Sequence, residues 1–101
     1  MAISNIERKG AWYDIYNEQG KKTRTLSSNI GEVEGFTSHF FIVSKGAWYD
    51  LYDENGKKYK TLSDNIGDFV SISGNTFVMR KGAWLDTYDD KGKKINTRSA
   101  R

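Results

Sequence analysis

Three short segments of the chain each carry an acidic residue between two aromatic residues, at alternate positions. In the first segment these are Trp12, Asp14 and Tyr16. Residues two apart point to the same face of an extended strand, so each segment would place an indole, a carboxylate and a phenol side by side. An exposed set of this kind can stack on a sugar or a base, whereas a buried set forms core. The other two sets are Trp48, Asp50 and Tyr52, and Trp84, Asp86 and Tyr88.

Burial is the favoured interpretation of these nine residues, and ligand binding is the alternative. A carboxylate in mid-strand is unfavourable unless it is hydrogen-bonded. Since a catalytic acid is not needed in three copies, we expect each aspartate to accept backbone N–H bonds from the Lys-Gly turn or a neighbouring strand. On this interpretation Trp48→Ala would cost about 3–5 kcal/mol, the range for truncating a buried large aromatic residue.

Basic residues follow the glycine that ends each aromatic segment. Lysines on an outer strand discourage edge-to-edge pairing with other chains, which is the favoured role. The alternative is a basic rim that contacts phosphate groups. We predict that the candidate rim residues share one face of their strands: Lys22, Arg24, Lys58, Lys60 and Lys94.

No set of residues typical of an enzyme can be assembled from the sequence. The chain has no cysteine and a single histidine, His39, beside which no acid stands at metal-ligand spacing. The Gly-Lys-Lys segments lack the spacer and the hydroxyl residue of a phosphate-binding loop. We therefore expect no catalytic residues, no cofactor and no metal site.

The aromatic segments belong to a repeat of 36 residues that is written three times. A period of this length is typical of repeat architectures. We predict one domain over residues 1–101, with repeats at 1–39, 40–75 and 76–101. Period-two alternation and the turn residues Gly, Asn and Asp divide each complete repeat into four short strands, with almost no helix.

The predicted fold is all-β, with eleven strands arranged as antiparallel meanders. A meander sheet must bury its apolar face, so we expect the three repeats to pack with pseudo-threefold symmetry, as in a β-prism or trefoil-like body. The alternative is that they form blades of an oligomeric β-propeller.

Charge and hydropathy restrict the setting of the protein. The net charge is +3, and the excess falls in residues 81–101, so it does not mark one whole face as basic. No stretch is long and apolar enough for a signal peptide or a membrane span, and no disulfide can form. We expect a soluble cytoplasmic protein without a membrane partner.

The middle repeat carries Lys45-Gly46-Ala47-Trp48 and then Asp53-Glu54-Asn55-Gly56-Lys57. This pattern resembles the WG (KWG) repeat of bacterial proteins, and the likeness covers essentially the whole chain three times. The residue after tryptophan departs from that pattern, being Tyr49 where the family has glycine. A looser similarity links the repeat to β-propeller blades and to three-repeat β-prism proteins. The resemblance implies a role in structure or binding and no particular chemistry.

These observations predict a binding or scaffold module that is not an enzyme and whose ligand is a protein or a glycan. The alternative is a nucleic-acid-binding protein that contacts phosphates through its basic strand edges. We also expect a homodimer formed through the chain ends, because Ile3 and Ile6 near one end favour self-association.

Overall fold

The computed structural model describes residues 2–100, which contain eleven β-strands and two single-turn 3-10 helices, Ser28–Ile30 and Asp64–Ile66. Residues 1 and 101 of the predicted domain lie outside this part. The strands are β1 (Asn5–Lys9), β2 (Trp12–Tyr16), β3 (Lys22–Ser27), β4 (Glu32–Phe36), β5 (Phe40–Lys45), β6 (Trp48–Asp53), β7 (Lys58–Ser63), β8 (Asp68–Ser73), β9 (Thr76–Lys81), β10 (Trp84–Asp89) and β11 (Lys94–Ser99).

The strands form three antiparallel sheets in chain order. Sheet 1 contains β1-β2-β3, sheet 2 contains β4-β5-β6-β7, and sheet 3 contains β8-β9-β10-β11. Neighbours along the chain pair through tight turns, such as the Lys-Gly turn that aligns Lys45 with Trp48. The prediction of an all-β fold with three antiparallel β repeats and eleven strands is confirmed.

The boundaries of the sheets differ from those of the sequence repeats. The fourth strand of each complete repeat leaves its own meander and becomes the first strand of the next sheet. A 3-10 turn and Gly67 make this crossover, and Gly67 has φ 114° with its backbone against the Arg80 carbonyl, where a Cβ would not fit. The Tyr49 hydroxyl fixes the crossover by donating to the Gly67 carbonyl at 3.1 Å. Tyr13 does the same for Gly31 at 2.9 Å.

Two hydrophobic clusters hold the three sheets together, one on each face of sheet 2. The cluster between sheets 1 and 2 includes Ile15 and Val43, and the cluster between sheets 2 and 3 includes Leu51 and Met79. Sheet 2 is therefore buried on both faces, which explains why its strand β5 is an unbroken apolar run, Phe40 to Val43. The sheets lie face to face in chain order, so they pack in series and not about the predicted pseudo-threefold axis, and the whole measures 40 × 26 × 22 Å.

The outer face of sheet 1 is polar where the matching faces of the other sheets are apolar. Asn5 and Glu7 are exposed on β1. The residues 36 and 72 positions later are buried against a neighbouring sheet: Phe41 and Val43 in sheet 2, and Phe77 and Met79 in sheet 3. Polar residues at these positions are typical of a repeat whose outer face is in contact with solvent.

The hairpin turn of each later repeat rests on the sheet before it. A Cβ on Gly56 would lie 3.1 Å from Arg24 Cγ, and one on Gly92 would lie 3.3 Å from Lys60 Cγ. Sheets 2 and 3 are also joined at Tyr59, whose hydroxyl donates to the Asp90 carbonyl.

Among residues 2–100 no helix is long and apolar enough to cross a membrane.

Candidate ligand-binding surface

The three tryptophans lie on the surface. Trp12, Trp48 and Trp84 each keep 54% of their area exposed, so the prediction that they form core is wrong. Each is the first residue of its strand, next to the Lys-Gly turn, whereas the core residue on the same face of β6 is Tyr52, four positions further along. The aromatic face is therefore divided along its length, with core at one end and exposed indole at the other.

Two of the three tyrosines are core residues, as predicted. Tyr52 stacks on Phe41 with ring centroids 5.0 Å apart, and Tyr88 stacks on Phe77 at 5.2 Å. Tyr16 is only half-buried, because the residue opposite it in the sheet is Asn5 in place of a phenylalanine.

The three aspartates are buried and make the same contacts in every repeat. Each accepts a hydrogen bond from a threonine hydroxyl on the next strand, at 2.8–2.9 Å, in the pairs Thr25–Asp14, Thr61–Asp50 and Thr97–Asp86. The other carboxylate oxygen lies 3.9–4.0 Å from a lysine Nζ, in the pairs Lys22–Asp14, Lys58–Asp50 and Lys94–Asp86. The prediction that each aspartate is hydrogen-bonded is confirmed, but the predicted backbone N–H donors are wrong, because the partners are side chains on the neighbouring strand.

A depression with the same five residue types lies beside each tryptophan, and we call each one a station. Its volume is about 300 Å³ in station 1, 340 Å³ in station 2 and 310 Å³ in station 3. The lining residues are Lys9, Trp12, Asp14, Lys22 and Thr25 in station 1; Lys45, Trp48, Asp50, Lys58 and Thr61 in station 2; and Lys81, Trp84, Asp86, Lys94 and Thr97 in station 3.

Two members of each station were not predicted from the sequence. The lysine opposite the tryptophan, such as Lys45, belongs to the preceding strand, and the threonine opposite the aspartate, such as Thr61, belongs to the following one. Both recur at 36-residue spacing. Pairing the strands across the two tight turns would have placed these residues beside Trp48 and Asp50.

The charge of station 1 differs from that of the other two. Lys45 and Lys81 form no ion pair with residues of the described chain, whereas Lys9 Nζ lies 3.8 Å from Glu7 Oε1. Glu7 stands at the position of Val43 and Met79 in the later repeats. Station 1 together with the neighbouring Glu7 thus holds two lysines and two carboxylates, and stations 2 and 3 have two lysines and one carboxylate each.

The residues of the predicted basic rim do not lie on one face of their strands. A β-bulge shifts the register within the last hairpin of each sheet, so that Lys22 lies opposite Tyr16 and Arg24 lies opposite Ile15. Because of the bulge, the side chains of Lys22, Lys58 and Lys94 lie in the stations, near the aspartates. Arg24 and Lys60 instead contact the hairpin turn of the next sheet.

A separate depression of about 340 Å³ lies between sheets 2 and 3, where His39, Asp53, Tyr59 and Asp90 contribute to its lining. Burial, followed by the charges of Asp90, Asp53 and Asp89, raises the pKa of Tyr59 from 10.0 to about 12.

No group of three His, Cys, Asp or Glu residues within positions 2–100 could hold a metal ion.

Each station offers three kinds of contact to a ligand. The exposed indole provides a flat apolar face, and the lysines provide cationic donors. The threonine hydroxyl gives its only hydrogen to the aspartate, so its remaining lone pairs can accept a bond from a ligand hydroxyl. The station therefore suits a ring that carries hydroxyl groups.

Comparison with protein-family models, with curated proteins and with solved structures finds no match to this chain.

Proposed function

We propose that this protein is a non-enzymatic binding module whose three stations bind successive units of an extended carbohydrate. The observation that carries the proposal is the recurrence of one exposed tryptophan, with the same four polar neighbours, in every sheet. Exposed large aromatic residues at equivalent positions do nothing for the core, so a contact with a partner explains their presence better than packing does.

The stacking of the sheets supports binding to a repeating ligand. Equivalent positions in sheets packed face to face are about 10 Å apart, which is comparable to the length of a disaccharide unit. A chain of sugars lying along the stack could therefore meet all three stations. Linked weak contacts of this kind raise the overall affinity well above that of one station.

We also infer that the repeat is of the WG type. The support is the Lys-Gly-x-Trp turn, which in all three sheets places the tryptophan at the start of a strand. A binding or structural role is what that resemblance implies.

The test is a glycan array probed with the unmodified protein and with a variant carrying Trp12→Ala, Trp48→Ala and Trp84→Ala. We expect hits for the unmodified protein that the triple variant loses. Ile95→Ala is the matched control, because Ile95 is exposed to a similar extent (53%) outside the stations. An array without hits, or hits that the triple variant retains, would overturn the proposal.

Nucleic-acid binding is the competing function. It draws support from the net charge of +3, but each station lysine paired with an aspartate is partly neutralised already. Binding of this kind weakens steeply with salt, by about one unit of log–log slope for each phosphate neutralised. Gel-shift assays with single- and double-stranded DNA and RNA over a salt series separate it from carbohydrate binding.

The homodimer and the cytoplasmic location stay predictions. The structure removes the basis first given for the dimer, since Ile3 is buried and Ile6 packs against the cluster between sheets 1 and 2. A dimer through this end would have to use the edge of β1 that faces away from β2, where no other strand of residues 2–100 pairs.

A further inference from the structure

We infer that the carbohydrate is acidic, and that stations 2 and 3 bind it more strongly than station 1. The inference rests on the proposed function and names its substrate class. It concerns polysaccharides whose units carry a carboxylate, such as uronic acids.

The first argument is the unused positive charge of stations 2 and 3. In station 2, Lys58 lies near the buried carboxylate of Asp50, whereas Lys45 has no ion-pair partner among residues 2–100. Lys81 is in the same situation in station 3. A carboxylate on the ligand would supply the missing partner beside the indole.

The second argument separates a sugar from other anions. The Thr61 hydroxyl hydrogen points to Asp50, so Thr61 and Asp50 offer acceptors to a ligand beside the donors of the lysines. Sugar hydroxyl groups can donate to these acceptors, while a phosphodiester backbone or an acidic side chain brings further acceptors and is repelled by the aspartate. An acidic sugar meets all three demands of the station: an apolar ring face, hydroxyl donors and an anionic group.

The third argument concerns station 1. Glu7 lies opposite Asp14 in the β1–β2 register, and its carboxylate is 3.8 Å from Lys9. The Glu7 carboxylate neutralises the positive charge of Lys9, whereas Lys45 and Lys81 in the other stations keep their positive charges among residues 2–100. An acidic unit therefore gains less from station 1.

The experiment compares acidic oligosaccharides with neutral forms of the same chains. Immobilised protein is titrated with hyaluronan, alginate and polygalacturonate oligosaccharides and with their carboxyl methyl esters. We expect at least one acid form to bind about five- to tenfold more tightly than its ester, the scale of a few surface ion pairs. Equal affinity for acid and ester overturns the inference but leaves the proposed function standing. Failure to bind any carbohydrate here or on the glycan array overturns both.

Variants then assign the effect to the stations. Lys45→Met and Lys81→Met should reduce the ratio of the affinity for the acid to the affinity for its ester more than Lys9→Met does. Glu7→Gln should increase this ratio. Lys57→Met is the control, because Lys57 is an exposed turn residue that lines none of the stations. Equal effects of the three station variants, or no effect of Glu7→Gln, contradict the ranking of stations. Tighter binding of poly-glutamate or single-stranded RNA than of any acidic sugar would contradict the ligand class. Thermal melts followed by circular dichroism confirm that each variant is folded.

Discussion

The exposed position of Trp48 reverses the expectation for its replacement. Trp48→Ala should lower the free energy of unfolding by only about 1 kcal/mol or less, since surface changes rarely cost more. Phe41→Ala is the comparison, because that ring is fully buried and stacked on Tyr52; it should cost about 3–5 kcal/mol. Urea denaturation gives both values. A loss for Trp48→Ala as large as that for Phe41→Ala would place the indole in the core.

Tyr59 gives a prediction for alkaline pH. Burial, reinforced by nearby aspartates, raises its pKa from 10.0 to about 12 in the folded state. The neutral phenol is thus favoured by folding, so its contribution to stability is full below pH 10 and is lost as the pH rises through 12. Tyr59→Phe should lose less stability over this interval than the unmodified protein. Denaturation curves at several pH values measure the difference, and parallel declines for the two proteins would refute the assignment.

The residues of the stations show how far sequence reasoning extends at this scale. The pattern of Trp48, Asp50 and Tyr52 identified one strand face correctly, but alternation does not tell which part of that face a neighbouring sheet covers. Exposure of the indole depends on the sheet-to-sheet packing, which no local pattern specifies. The roles of Thr61 and Lys45 were not predicted either, because these residues contact Asp50 and Trp48 from other strands.

At the scale of elements, Gly35 on β4 is required by the approach of β8. A Cβ at this position would lie 2.7 Å from Ile72 Cγ2 and 2.9 Å from Phe69 Cζ. Gly35→Val should therefore destabilise the protein by about 1–3 kcal/mol through overpacking. Ser71→Val is the matched control, because Ser71 occupies the equivalent position in the next repeat and is exposed. Denaturant melts in which both variants behave alike would contradict this packing.

Strands and turns were predictable from the sequence, but their grouping into sheets was not. Glycine and asparagine marked the tight turns, and alternation marked the strands on either side. The crossover at Gly67 carries similar turn residues, so sequence alone could not show that β8 leaves β7 to pair with β9. The hydroxyl of Tyr49, which holds this crossover, acts across 18 positions of the chain.

At the scale of the whole molecule, the polar outer face of sheet 1 should limit association. The double variant Asn5→Phe and Glu7→Val gives this face the residues that sheet 2 buries at Phe41 and Val43. We expect it to self-associate more strongly than the unmodified protein, because no sheet formed by residues 2–100 covers the new apolar patch. Light scattering over a concentration series measures this, with Asn5→Gln and Glu7→Gln as the polar control. Equal masses for all three proteins would contradict the role of this face.

Acrylamide quenching of intrinsic tryptophan fluorescence tests the central claim most directly, because the only tryptophans of the chain are those of the three stations. The native protein should be quenched strongly, although less than the unfolded chain, since each indole is about half exposed. An acidic oligosaccharide that binds should then protect the tryptophans from acrylamide. Strong protection in the free protein, or quenching that a bound oligosaccharide leaves unchanged, would show that the tryptophans are not the binding surface.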